Sequence, residues 1–218
     1  MRRSMMMTAA AATLAIGAGA GILASPPAEA QDAMTRSPAE VRAGTYELDS
    51  AHGKITWSVD HLGFSTYVGQ FVNVAATLTL DPANPSNSTL AATIPLTDVD
   101  SNSEGLDGHL QTDDFFDTAN HPTATFRATS IVVDSDDPTE ADVTGELTLR
   151  GVTRPVTMEV EFNQAGPSMG GVYKVGFDGE ATIRRSEFGI DFALPALGDE
   201  VELHMEGEFV LQEGDAAS

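Results

Sequence analysis

An all-β, eight-stranded antiparallel barrel of lipocalin-like form is the fold this sequence predicts, and three observations carry it. Apolar and polar residues alternate at a period of two in eight separate stretches after Thr45. Connections of hairpin length join most neighbouring stretches, so an antiparallel meander is the simplest topology. The stretches run to about ten residues without evident edge protection, which favours closing the sheet over leaving it open.

In the first stretch Ile55, Trp57, Val59 and His61 alternate with Lys54, Thr56, Ser58 and Asp60. Val72, Val74, Ala76, Leu78 and Leu80 form a second apolar face, stopped by the turn at Asp81-Pro82. Leu90, Ala92, Ile94 and Leu96 form a third. A long polar loop follows over 98–122, in which only Glu104–Leu110 has helical spacing. Ala124, Phe126, Ala128, Ser130 and Val132 make the fourth face, and Val143, Gly145, Leu147 and Leu149 the fifth, broken at Gly151. The sixth holds Val156, Met158, Val160 and Phe162; the seventh Tyr173, Val175, Phe177, Gly179, Ala181 and Ile183. Val201, Leu203, Met205, Gly207, Phe209 and Leu211 form the eighth, facing Glu202, His204, Glu206 and Glu208.

Composition narrows the function. The 218 residues carry 11 Lys+Arg against 33 Asp+Glu, a formal charge of −22, which excludes the basic footprint that nucleic acid needs and disfavours an anionic membrane surface. No cysteine is present, so there is no disulfide, thiolate nucleophile, Cys-ligated zinc, iron–sulfur cluster or thiol-linked haem. Arg2 and Arg3, the apolar run from Met5 to Ala24, Pro26-Pro27 and Ala28-Glu29-Ala30 have the order of a secretory signal peptide. The expectation is therefore a signal peptide over 1–30, cleaved after Ala30, and a periplasmic protein. A mobile leader over 31–43, one barrel domain over 44–212 and a tail over 213–218 complete the organisation.

Alternation alone does not say which face points inward. A membrane barrel needs two aromatic girdles, and one Trp with three Tyr cannot build them. The apolar face therefore points in and the acidic face out, with no stable membrane insertion. Ala76, Ala92, Ala124, Ala128, Gly145, Gly179, Ala181 and Gly207 lie on the inward face and leave space, unless the aromatics fill it; the pattern supports both readings equally.

Five short segments, in order, resemble the YceI-like family of exported lipid-binding proteins over about residues 44–212. Tyr46-Glu-Leu-Asp49 leads to His52, and His61-Leu-Gly-Phe64 to Gly69-Gln-Phe71. Leu106-Asp-Gly-His-Leu110 runs into Asp114-Phe-Phe-Asp117, His121-Pro122 and Thr125-Phe126. Gly145-Glu-Leu-Thr-Leu-Arg-Gly151 precedes Val152-Thr-Arg-Pro155, and Ile183-Arg-Arg-Ser-Glu-Phe-Gly-Ile190 precedes Asp199-Glu-Val201. The resemblance implies a barrel that holds an isoprenoid, an isoprenoid quinone or another long-chain lipid. It implies a carrier with no catalytic residue, no metal and no cofactor other than the bound lipid. A homodimer is compatible with it. Many members carry Arg-Asp where this chain has Leu106-Asp107.

Resemblance and inward phase together suggest a ligand set. Trp57, Phe64, Phe71, Phe126, Phe162 and Phe177 are its strand members. His109, Leu110, Phe115, Phe116, Arg185 and Phe188 come from the loops. His109 is either a headgroup contact or general base, with Asp107 as partner, or a loop histidine bonded to backbone. Phe115 and Phe116 are adjacent, so in extended chain one faces the barrel mouth and the other the outside. Arg185 falls at the interior or rim, where a cation must be paired; Asp107 or an anionic headgroup are its candidates. The five histidines show no metal-ligand spacing, and the acidic loop 98–114 matches no calcium-loop pattern. Two rivals to the carrier stand: a lipid-modifying enzyme built on His109 and Asp107, and a ligand-free stress or interaction protein whose barrel is filled by its own side chains. No Gly-x-Ser-x-Gly elbow supports the first.

Overall fold

The computed structural model describes residues 33–212 and 214; the expected signal peptide, and the tail apart from Gly214, lie outside them. Strands form over all eight alternating stretches, with three corrections. Val72 and Val74 precede their strand, and 65–71 forms a strand the alternation did not mark. Beyond a register shift between Ala128 and Ser130 it is Ile131 and Val133 that line the interior, while Val132 is exposed. The strands are β1 (Gly44–His61), β2 (Ser65–Phe71), β3 (Ala75–Leu80), β4 (Thr89–Pro95), β5 (Val99–Asp100), β6 (Thr123–Val133), β7 (Glu140–Leu149), β8 (Val152–Pro167), β9 (Tyr173–Arg184) and β10 (Leu197–Leu211). All lie in one antiparallel sheet, which closes because β10 pairs with β1 from Tyr46 opposite Leu211 to His61 opposite Leu197. The ten strands occupy eight positions round the barrel. β3 pairs with the first half of β1 and β2 with the second, while β5 resumes β4 beyond a 3-10 turn at Leu96–Asp98. Register shifts between Leu48 and Gly53, Ala128 and Ser130, and Phe162 and Gln164 give the strands the bends that closure requires.

The helical spacing in the long loop becomes α1 (Glu104–Leu110). Asp107 fastens its start, one carboxylate oxygen accepting from the Ser101 N–H at 2.7 Å and the Ser101 hydroxyl at 2.6 Å.

Residues 33–43, expected as a mobile leader, are instead laid along the barrel. Thr35 and Ala165 exchange backbone hydrogen bonds at 2.8 and 2.9 Å, and Val41 is buried. Arg42 lies 4.4 Å over the Tyr173 ring, and the fully buried Tyr46 donates its hydroxyl to the Arg42 carbonyl at 2.6 Å. Burial pushes the Tyr46 phenol well above its usual range. The arm is polar in sequence, so its attachment through main-chain and ring contacts left no apolar period to read.

Outward positions bring like charges together. Across β7 to β10, Glu159 faces Asp142 and Glu180, while Asp178 faces Glu161 and Glu206. Cross-strand like charges destabilise a sheet, and salt screens them. The melting temperature should therefore rise from low salt to about 0.15 M. Glu159→Lys should raise it by about 2–4 °C at low salt and flatten that dependence. Calorimetry across a salt series tests both; a flat curve for the native chain would remove the argument.

One cluster offsets this repulsion. Lys174 donates to Asp49 at 2.8 Å and Glu208 at 2.7 Å, and His52 Nδ1 lies 2.9 Å from Asp49. Among the described residues this is the one grouping of three metal-ligand types whose donor atoms converge, and the lysine ammonium lies against two of its three members. Hydrogen bonds from Lys174 and His52 pull Asp49 down to about 2. A carboxyl depressed in the folded state stabilises above its unfolded pKa and loses that contribution as pH falls through the folded one. Urea midpoints should drop between about pH 4 and pH 2, and Asp49→Asn should lessen that drop.

Candidate functional site

Two apolar cavities lie end to end inside the barrel, of about 380 and about 400 Å³. Ile55, Ile94, Leu147 and Leu203 line both and form a waist between them. The arm-side chamber is reached by Pro38 and Ala39 of the N-terminal arm and by Pro82 and Pro138 of two turns. The loop-side chamber is bounded by the β1–β2 tip, α1 and the 185–197 loop. Each volume falls in the range of small-ligand sites.

Glycine opens space at some inward positions only: Gly179 and Gly207 line the arm-side chamber, while others are covered by rings. A methyl at Gly145 would strike the Phe126 ring, one at Gly69 the Trp57 ring, and one at Gly207 the Phe209 ring at 2.9 Å. At Gly145 and Gly69 the aromatic side chain lies across the glycine beside it, so these two positions are already filled. Most of the room is left beside alanines, since Ala76, Ala92 and Ala181 line the arm-side chamber with Gly179 and Gly207.

Of the expected ligand set, Phe126, Phe162 and Phe177 line the arm-side chamber. Trp57, Phe71, His109, Leu110, Phe115, Phe116 and Arg185 line the loop-side one. Two expectations are corrected. Phe64 is 88% exposed at the β1–β2 tip, outside the barrel, because it falls in the turn that links the two strands, with its N–H bonded to His61 O. Phe188 is buried at 1% in the core under the 185–189 turn and lines neither chamber. The waist residues were absent from that set although the alternation places all four inward; attention to aromatics passed over plain aliphatics.

Phe115 and Phe116 do not face opposite ways. A turn, with Phe115 N–H bonded to Thr112 O and Phe116 N–H to Leu110 O, carries both rings to the chamber. Phe116 packs on Phe71 with ring centroids 5.5 Å apart. His109 stands edge-on between Phe115 and Phe192, at 5.1 and 5.2 Å, and its Nε2 lies 2.9 Å from Asp114. Asp107 is engaged with Ser101, so the His109–Asp107 pair the sequence suggested is not assembled.

Arg185 has a different partner from either candidate. Buried at 5% exposure, it donates Nε to Gly198 O at 2.7 Å, one terminal nitrogen to Ile190 O and Phe192 O, and the other to Leu197 O at 3.0 Å. The chain turns after Arg184 into a 3-10 segment, which brings the guanidinium among carbonyls of its own loop. Burial lowers its pKa, opposed by Asp199 and Asp191. Arg150, at the β7–β8 turn, ties the mouth loops together by bonding Asp113 O at 2.7 Å and Gly189 O. The Trp57 indole N–H is buried with no acceptor among the described residues, at a cost of about 1–3 kcal/mol.

The fold has known counterparts. The profile of the YceI-like domain matches residues 46–209. Protein YceI of Escherichia coli is 38% identical over 172 residues, 78% of this chain and 88% of that protein. The crystal structure of Burkholderia cenocepacia BcnA superposes with a TM-score of 0.67 at 25% identity, covering 74% of this chain and 98% of that one. A domain from Saccharophagus degradans, described as polyisoprenoid binding and implicated in plant cell wall breakdown, shares the fold at TM-score 0.57 and 14% identity, covering 77% and 98%. With the profile spanning nearly the whole barrel and a relative matched along most of its length, the chain belongs to the YceI-like domain family.

Proposed function

We propose that this protein is an exported, periplasmic carrier that sequesters a long apolar chain, an isoprenoid, an isoprenoid quinone or a related lipid, without chemical turnover. The observation that carries the reading is the pair of apolar chambers joined at an aliphatic waist. Each buried methylene contributes about 0.8 kcal/mol, so a chain threading both chambers needs no strong polar contact. The polyisoprenoid-binding description of the Saccharophagus degradans domain supports the same ligand class. Chambers of this size speak against a barrel filled by its own side chains, and the separate engagements of His109 and Asp107 speak against the enzyme. Mass spectrometry of an organic extract of the purified protein should find a long-chain lipid, or a prenylated quinone added to stripped protein should quench Trp57 fluorescence. Neither signal, with ester turnover in its place, would overturn the carrier.

A further inference from the structure

The β1–β2 hairpin presents apolar side chains to solvent at the mouth of the loop-side chamber. Leu62 and Gly63 both take positive φ, 61° and 70°, and the Phe64 N–H closes the turn on His61 O at 3.0 Å. Glycine adopts this backbone freely; leucine does so only under strain. Asp60 helps hold it, accepting from the Gly63 N–H at 3.0 Å. The turn displays what a core would normally take up: Phe64 is 88% exposed, Leu62 49%, and Val68, four residues on along the same outer face, 52%. On the 185–197 loop Phe192 is 41% exposed. Leu62 and Phe192 also line the chamber, so apolar surface runs from its wall out to the tip.

We propose that this tip docks on a lipid surface and that the tunnel exchanges its chain with a bilayer through the loop-side mouth. The proposal rests on the carrier reading. A second copy of this chain fits the tip poorly: at a formal charge of −22 each copy repels the other, and a few apolar side chains fall short of the roughly 800 Å² per partner that a stable interface buries. A bilayer demands no matching shape. Phe64 and Leu62 gain by entering its interface, and a lipid chain then passes to an apolar mouth without crossing water. Asp60 and Asp191, adjacent in sequence to the tip and to Phe192, stay at headgroup level and disfavour anionic lipid. The preferred surface is therefore zwitterionic.

Flotation with phosphatidylcholine vesicles tests the docking without reference to any bound chain. The purified protein should float with them, and less so when phosphatidylglycerol is included. Phe64→Ser combined with Val68→Ser leaves Leu62 and the chamber wall untouched, removes the apolar surface that faces outward, and should abolish flotation. Transfer of a prenylated quinone from vesicles should slow by about tenfold or more in this variant, while uptake from detergent micelles stays unchanged. Native protein that does not float, a variant that floats or transfers like the native chain, or a variant that changes only the oligomeric state would overturn the docking. Failure of the native chain to take up quinone from both vesicles and micelles would strike the carrier reading instead, and flotation separates the two.

Discussion

Ala92→Phe should abolish uptake of a long chain while leaving the protein folded. Ala92 sits on β4 opposite Ala76 and Phe126, lines the arm-side chamber, and stands two residues from Ile94 of the waist. A phenyl ring there enters existing space and closes the arm-side chamber to a chain threaded from the other end. Denying the ligand about five methylenes of burial costs about 4 kcal/mol, about a thousandfold in Kd. Stability should hold or rise slightly, because the ring fills a void instead of forcing neighbours apart. Fluorescence titration against a prenylated quinone reads the first effect and urea unfolding the second. Unchanged affinity together with a loss of about 1–3 kcal/mol, the signature of overpacking, would mean that Ala92 packs core and the chamber is not the ligand's.

The largest stability loss is expected at Arg185. Its four hydrogen bonds gather the carbonyls of Ile190, Phe192, Leu197 and Gly198, so one buried cation shapes the whole loop that walls the chamber mouth. Arg185→Leu removes the donors and leaves the carbonyls without them, at a cost of about 3–5 kcal/mol. Arg185→Lys should rescue little, since an ammonium cannot reproduce the planar fork. Urea unfolding gives the magnitude, and hydrogen exchange should show protection lost first over residues 189–198. A loss below about 1 kcal/mol would mean that the loop is held by its apolar contacts instead.

How legible the site was depends on the distance between partners. His109, Leu110, Phe115, Phe116 and Arg185 were expected near a ligand because they fall in recognisable segments, and all five line one chamber. Their geometry was not legible. Opposite facing of Phe115 and Phe116 holds for extended chain, whereas their N–H bonds to the Thr112 and Leu110 carbonyls curl that segment. A buried cation at Arg185 needs compensation, for which Asp107 or an anionic headgroup were the candidates; several carbonyls of one loop supply it equally well, and the 185–199 stretch shows no period from which to see them converge.

Alternation by itself determined eight stretches of strand, most of their inward faces, and that the acidic face meets solvent, because side chains on a pleated strand point alternately and water sorts the two faces. It did not mark 65–71 and lost phase at the Ala128/Ser130 register shift. Net charge, read from composition alone, already disfavoured nucleic acid and anionic membrane as partners. Tertiary structure alone decided where the empty space lies. Whether an inward glycine opens a void depends on the ring on the neighbouring strand: Phe126 covers Gly145, and Trp57 covers Gly69 across the β1–β2 pairing. It also decided that the void is pinched at Ile55, Ile94, Leu147 and Leu203, four aliphatic residues on four strands that become neighbours only when β10 closes on β1.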